Sequence, residues 1–543
     1  MRRVVAALSI ALFGCPGPVP PRVVPAKPPR LVVLIVIDQL PVWVFDRDRA
    51  LFKHGLARLQ REAAYAVAEL PYAQTFTAPG HATIGTGVPP SVHGILANQW
   101  YRRGEGSERA AEYDPDATIL SVAESHGEPL SANDGASSRQ LRVGGTADSL
   151  RAAHPQAHSV AISLKPRAAA LMTGKRPDLA IWYEGGAGGM TTSTAYAKEA
   201  PRWLVELARA KPMARYLGAT WTPLDPELLA RVTGIPDDAP GEGVVHGMDR
   251  AFPHTVSTDP KDNKSLLHTP FADEAVVDTV LAAIPALALG DDEVPDLLAI
   301  SFNAHDYAGH TWGPDSWEVL DLMLRLDTQL GRLFDTFDRR FGKAGWAVVL
   351  TSDHGATPLV ERAQVPGSRR IRSEEVSTVA EATLVKLHGP GPWVAAVSSN
   401  NIYFTSKLGE LPAAQRREAL NQAAAAVGKI DNIAACRVTE LIGESCNDLR
   451  EVDRAICWSV VSGESGELAV VPVKGSLISD YKSGTSHDSP FDDNRRVPVF
   501  VRAPGLAVQK GKGSTLQIAP TISALLGVPP PEAASARPLF DLK

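Results

Sequence analysis

The sequence predicts an α/β fold: a mostly parallel central sheet flanked by helices. Two observations carry this. Short apolar runs recur along the chain with helical patterns between them, the alternation that builds parallel sheets. The runs are also continuous rather than alternating, as in strands covered on both faces. The first is Leu31–Ile37 (LVVLIVI), ending at Asp38. Similar runs lie at residues 158–164, 297–302, 347–350 and 497–501. The clearest helix spans residues 316–337, where Val319, Met323, Leu326, Leu330, Leu333 and Phe337 recur at helical spacing behind a Ser316 N-cap.

Other segments break this alternation. Residues 102–142 and 185–269 are rich in Gly, Pro and charge and read as loop insertions over the sheet. Residues 370–475 combine short strand-like runs with an Ala-rich helical stretch at 411–428, as a lid or small accessory subdomain would. No linker is visible after residue 30, so residues 31–543 are expected to form one catalytic domain with these insertions.

The N-terminus reads as an export signal over residues 1–14. Arg2 and Arg3 precede an apolar stretch too short to span a bilayer. Leu12-Phe13-Gly14-Cys15 resembles a bacterial lipobox, although Phe13 stands where a small residue is usual. A lipidated Cys15 would anchor the chain to the outer membrane; ordinary cleavage nearby would release it to the periplasm. Residues 15–30 are a Pro-rich tether. Cys436, Cys446 and Cys457 allow one disulfide and one free thiol, and spacing does not choose the pair. The 543-residue chain carries a formal net charge of -6, which argues against duplex nucleic-acid binding.

The strand ends carry the chemistry. Asp38 ends the first run, Asp306 and His310 follow the run at 297–302, and Asp353-His354 follow that at 347–350. His487 comes late, in Gly484-Thr485-Ser486-His487. Ligands of open α/β sheets bind beyond the carboxyl ends of the strands, so these segments are expected to converge. Asp306, His310 and His487 would hold one metal ion, and Asp38, Asp353 and His354 a second. Mixed nitrogen and oxygen donors without sulfur suit catalytic zinc. Thr77, in Thr-Ala-Pro-Gly-His, would stand at a helix N-terminus, where an anion is favoured and metal coordination would activate its hydroxyl. Thr75 is a rival two residues earlier, and spacing leaves both open.

The segment T-A-P-G-H-A-T-I-G-T-G-x-x-P-x-x-H-G-I (residues 77–95) resembles the nucleophile motif of the alkaline phosphatase superfamily, closest to its monomeric, threonine-nucleophile PafA-type branch. Related nucleotide pyrophosphatase/phosphodiesterases share a T-x-P-x-H core, which selects Thr77. The resemblance runs from Leu31 to about Pro531. It implies two zinc ions, one held by Asp38, Thr77, Asp353 and His354, the other by Asp306, His310 and His487. It also implies phosphate-binding roles for Asn98, Lys165 and Arg167: an amide donor and two cations suit a compact dianion. The activity implied is hydrolysis of small phosphate monoesters through a phosphothreonine, by a monomer. The alternatives are phosphodiester or nucleotide pyrophosphate cleavage on the same core, and an inactive exported binding protein. A sulfatase would need a modified Cys or Ser in a C/S-x-P-x-R context, and a phosphoglycerate mutase-like enzyme a serine; residues 77–81 offer neither.

Overall fold

A computed structural model describes residues 28–542, apart from 132–133, 260, 263, 442–444 and 450. The export signal, Cys15 and most of the tether lie outside the described residues. In chain order the strands of interest are β1 (Leu31–Ile37), β2 (Ala64–Glu69), β3 (Ser159–Ser163), β4 (Leu179–Glu184), β5 (Gly189–Thr191), β6 (Asp296–Phe302) and β7 (Trp346–Thr351). Then come β8 (Val394–Ser398), β9 (Asn401–Phe404), β10 (Ile433–Val438), β11 (Leu468–Pro472), β12 (Arg496–Arg502) and β13 (Lys510–Ser514). Nine of them form one sheet in the order β13-β2-β12-β7-β1-β6-β3-β4-β5. Only β12 and β5 run against the rest.

The unbroken apolar runs follow from burial on both faces. In β1, Leu31, Val33, Ile35 and Ile37 enter one core, while Val32, Leu34 and Val36 enter the other. β1 is central, pairing Ile37 with Phe302 of β6 and Val36 with Thr351 of β7. Ser301 of β6 in turn pairs with Ser163 of β3. This register sets the carboxyl ends of four strands side by side, so Asp38, Lys165, Asn303 and Asp353 leave the sheet from one edge.

The helices that shape the site are α1 (Thr77–Thr86), α2 (Pro166–Leu171), α3 (Ala304–Trp312) and α4 (Trp317–Phe341). Ser316 caps α4, its Oγ accepting from the Val319 N–H at 3.2 Å. The helix runs four residues beyond the periodic stretch because Phe341 is still buried, and Gly342 (φ 73°) then turns the chain.

The insertions are less loop-like than their composition suggests. Residues 185–269 include helices Arg202–Ala210 and Pro226–Thr233, each fully burying one residue, Leu204 and Leu229. The first nevertheless packs an apolar face on the main core, Leu204 with the partly buried Trp203, Val205, Leu207 and Ala208, so a patterned helix lies within the Gly- and Pro-rich segment. Within residues 370–475, α5 (Ser373–His388) and α6 (Ala413–Val427) accompany an antiparallel sheet, β8-β9-β11-β10, with its own apolar core. Cys446 and Cys457 are disulfide-bonded, and Cys436 is a buried free thiol. Among the described residues, no helix is long and apolar enough to cross a membrane.

Candidate active site

Thr77 is the first residue of α1, with Phe76 as the N-cap. Its Oγ1 lies 3.5 Å from both Lys165 Nζ and His354 Nε2. Thr75 faces the other way: its hydroxyl donates to the His487 and Ser489 carbonyls. Geometry therefore presents Thr77, and Thr75 braces the His487 loop. Pro79 falls in the first turn of α1, where its missing N–H costs nothing.

The six carboxylate and imidazole residues converge as the strand ends require. Ligand atoms of Asp306, His310 and His487 lie within 4.8 Å of one another, and so do those of Asp38, Asp306 and His354. Asp306 thus joins both groups. Asp353 lies alongside, its Oδ2 3.2 Å from His354 Nε2.

Each of the three imidazoles gives its Nδ1–H to a backbone carbonyl: His310 to Thr485 (2.7 Å), His354 to Gly355 (2.9 Å) and His487 to Thr75 (2.6 Å). That fixes the tautomer and leaves Nε2 as the free donor atom. His310 and His487 bring these atoms to 3.2 Å, an arrangement that a shared cation would stabilise. Asp38 Oδ1 and Asp353 Oδ2 are buried and face only imidazole nitrogens, His354 Nε2 at 3.4 and 3.2 Å and, for Asp353, His81 Nδ1 at 3.2 Å. The donor set therefore fits divalent metal with nitrogen and oxygen ligands.

Electrostatics agree. Burial, then Asp306 and Asp353, push the Asp38 carboxyl up to about 6. Burial acts the same way on Asp306, but His310 and Lys165 outweigh it and hold this carboxyl well below the usual range. Burial would lower the Lys165 ammonium, yet Asp306 and Asp38 raise it. Lys165, 1% exposed, bridges Asp38 Oδ2 (2.7 Å) and Asp306 Oδ2, with Nζ 5.0 Å from the Tyr307 ring centroid.

Asn98 Oδ1 accepts from the Ala78 N–H at 2.8 Å, which ties it to the start of α1. Arg167 stands in the first turn of α2, beyond Lys165. Burial lowers its pKa, but Glu112, Tyr307, Asp38 and Asp306 raise it on balance. His81 holds α1 from behind, its Nδ1 2.9 Å from Thr77 O and 3.2 Å from Asp353 Oδ2, its Nε2 2.9 Å from Ser301 Oγ. His305 points away, donating to Asp38 O. Trp100 is packed, with its indole N–H on Glu464.

Two amides at the site belong to no motif in the sequence. Gln39 Nε2 donates to Asp306 Oδ1 at 2.7 Å, from a residue with φ 65°. Asn303 Nδ2 donates to Asp38 Oδ2 at 2.7 Å, and its Oδ1 accepts from Ser163 Oγ and Leu164 N. Adjacency to Asp38 and to the end of β6 was the only available signal.

This fold and site define a phosphoester hydrolase. The chain belongs to the type I phosphodiesterase/nucleotide pyrophosphatase family, whose model matches residues 32–485. It is 28% identical to alkaline phosphatase PafA of Elizabethkingia meningoseptica, over 95% of this chain and 94% of that one. It is 30% identical to alkaline phosphatase PhoK of a Sphingomonas species, over 94% and 90% respectively. The crystal structure of wild-type PafA superposes with a TM-score of 0.85 at 26% identity, covering 95% of this chain and 99% of the other.

Proposed function

We propose that this chain is a zinc-dependent alkaline phosphatase that hydrolyses small phosphate monoesters through a phosphothreonine on Thr77. The carrying observation is the placement of Thr77 Oγ1, at a helix N-terminus and 3.5 Å from Lys165 Nζ and His354 Nε2, against the carboxylate–imidazole cluster. Asp38, Thr77, Asp353 and His354 would hold one ion and Asp306, His310 and His487 the other. Bound zinc would act as a Lewis acid, lowering the pKa of a coordinated hydroxyl or water.

Thr77 Oγ1, once deprotonated, forms the new bond to phosphorus as the bond to the substrate alcohol oxygen breaks, and that oxygen takes up a proton. Water then cleaves the phosphothreonine and restores the hydroxyl. Lys165 and Arg167 neutralise the non-bridging oxygens. The Asn98–Ala78 hydrogen bond orients the Asn98 NH₂ as a further donor. Deprotonation of the hydroxyl and of water makes the reaction favour alkaline pH. A solved PafA variant carries substitutions at a threonine, an asparagine, a lysine and an arginine. Thr77, Asn98, Lys165 and Arg167 present the same residue types in the same order, which supports the assignment.

Residues 1–15 support an exported enzyme, periplasmic or anchored through Cys15, and residues 31–543 its catalytic domain. Thr77→Ala tests the mechanism. It should keep its zinc by elemental analysis, yet give no acid-stable phosphoprotein on quenching and lose at least about 10³-fold in kcat. Near-normal turnover would overturn the reading. The family's name keeps a diesterase in view. A higher kcat/KM for a methyl aryl diester than for the aryl monoester would establish it.

A further inference from the structure

The accessory sheet packs on the nucleophile segment and on the Asn98 loop, through Ala73 and Tyr101 among others, and one two-residue turn of it hydrogen-bonds to both and to the His487 loop. Ser398 of β8 pairs with Asn401 of β9, leaving Ser399 (φ 48°) and Asn400 (φ 59°) to close the hairpin in the left-handed region, as type I′ turns do. This tip makes hydrogen bonds to three separate segments. Gln74 Nε2 donates to Ser399 O at 3.0 Å, Ser399 Oγ donates to Gln99 O at 2.8 Å, and Asn400 Nδ2 donates to Asp488 O at 2.9 Å. Gln99 follows Asn98, and Asp488 follows His487. Gln74 precedes Thr75, which holds His487 on the way to Thr77. The tip is backed by a second sheet interaction, Val470 N donating to Asn400 O at 2.9 Å.

We propose that the Ser399–Asn400 turn is a positioning element, lent by the accessory sheet, that sets the nucleophile segment, the Asn98 loop and the His487 loop relative to one another. This rests on the roles assigned above to Thr77, Asn98 and His487. The turn touches no reacting atom. It acts through the peptides that carry those three residues, each of which has to be held to within a fraction of an ångström. A hairpin that merely fastens the accessory sheet to the core would affect stability and activity together. A positioning turn affects separate properties of the site according to which hydrogen bond is cut.

The test uses the full-length enzyme with its metal. Asn400→Gly keeps the left-handed turn and removes only the amide, while Asn400→Asp keeps the shape and presents an acceptor to Asp488 O. Both are expected to lose metal more easily, with half-inactivation at about 10-fold lower chelator concentration; Asn400→Gly keeps the melting midpoint, whereas Asn400→Asp, which sets a buried carboxyl against a carbonyl, lowers it. Ser399→Ala is expected to raise the inhibition constant for inorganic phosphate about 3-fold and leave chelator sensitivity unchanged. Wild-type behaviour of all three variants overturns the proposal. So does a loss of activity that only tracks a loss of melting temperature. Thr77→Ala in parallel separates the two levels. If it still turns over, the functional reading falls. If it is inactive while the turn variants behave as wild type, only the positioning role falls.

Discussion

Three imidazoles present the same ring nitrogen to one space because a backbone carbonyl holds the other nitrogen of each. Those carbonyls belong to Thr485, Gly355 and Thr75, so main chain rather than mobile side chains sets the ring directions. Lys165 completes the arrangement as the cation among Asp38 and Asp306. On the proposed role, replacing Lys165 by Ala would remove a charge that a dianionic monoester needs more than a monoanionic diester does. Its kcat/KM should fall about 10²-fold for an aryl phosphate and only about 10-fold for the methyl diester, measured side by side. Equal losses would show that Lys165 serves the carboxylates and not the substrate.

At the scale of elements, α1 packs directly on the segment after β7. A Cβ on Gly80 would stand 2.4 Å from the Asp353 backbone oxygen and 2.8 Å from its Cβ. Backbone cannot yield as a side-chain tip can, so Gly80→Ala should push α1 away from Asp353. The expected result is a loss of more than about 10²-fold in kcat/KM together with a lower melting midpoint. A fully active Gly80→Ala would mean that α1 and Asp353 need not be this close. The glycine of the Thr-Ala-Pro-Gly-His segment thus has a steric reason that no spacing rule supplies.

Much of this level was legible beforehand for a physical reason. β1, β3, β6, β7 and β12 are buried on both faces and therefore show as unbroken apolar runs. The Asp and His residues at their ends carry chemistry that their residue types announce. Gln39 and Asn303 do not: an amide next to a ligand looks like any polar residue at a strand end. Spacing left Thr75 and Thr77 open and the T-x-P-x-H resemblance chose Thr77; the physical reason is three-dimensional, since the His487 loop takes up the Thr75 hydroxyl.

At the scale of the whole molecule, the site sits on a buried acid that metal does not explain. Asp273 is 2% exposed; its Oδ1 accepts weakly from the Ala304 N–H at 3.4 Å, and its Oδ2 has no hydrogen-bond partner. Burial pushes its carboxyl up to about 7 from the ordinary 3.8. The folded state therefore keeps a proton that the unfolded state has already lost. This contribution is fully present below about pH 4, declines as pH rises toward 7, and is gone above that. Asp273→Asn, which does not titrate, should gain stability relative to wild type across that window, on the order of a few kcal/mol at pH 8. Urea midpoints at pH 5 and pH 8 provide the measurement. An equal difference at both pH values would show that Asp273 is already ionised in the fold.

The central position of β1 also governs how the molecule comes into being. Its two neighbours, starting at Asp296 and Trp346, are made long after Leu31. Closing loops of that length is slow, because the entropy lost in bringing the ends together precedes any reward from pairing. A chain that grows from its N-terminus thus carries its most apolar strand unpaired until most of its length exists. The pocket cannot begin to form before then, since two of its walls are anchored to those same late strands. Catalytic competence is therefore among the last properties this polypeptide acquires, whatever the order in which its helices appear.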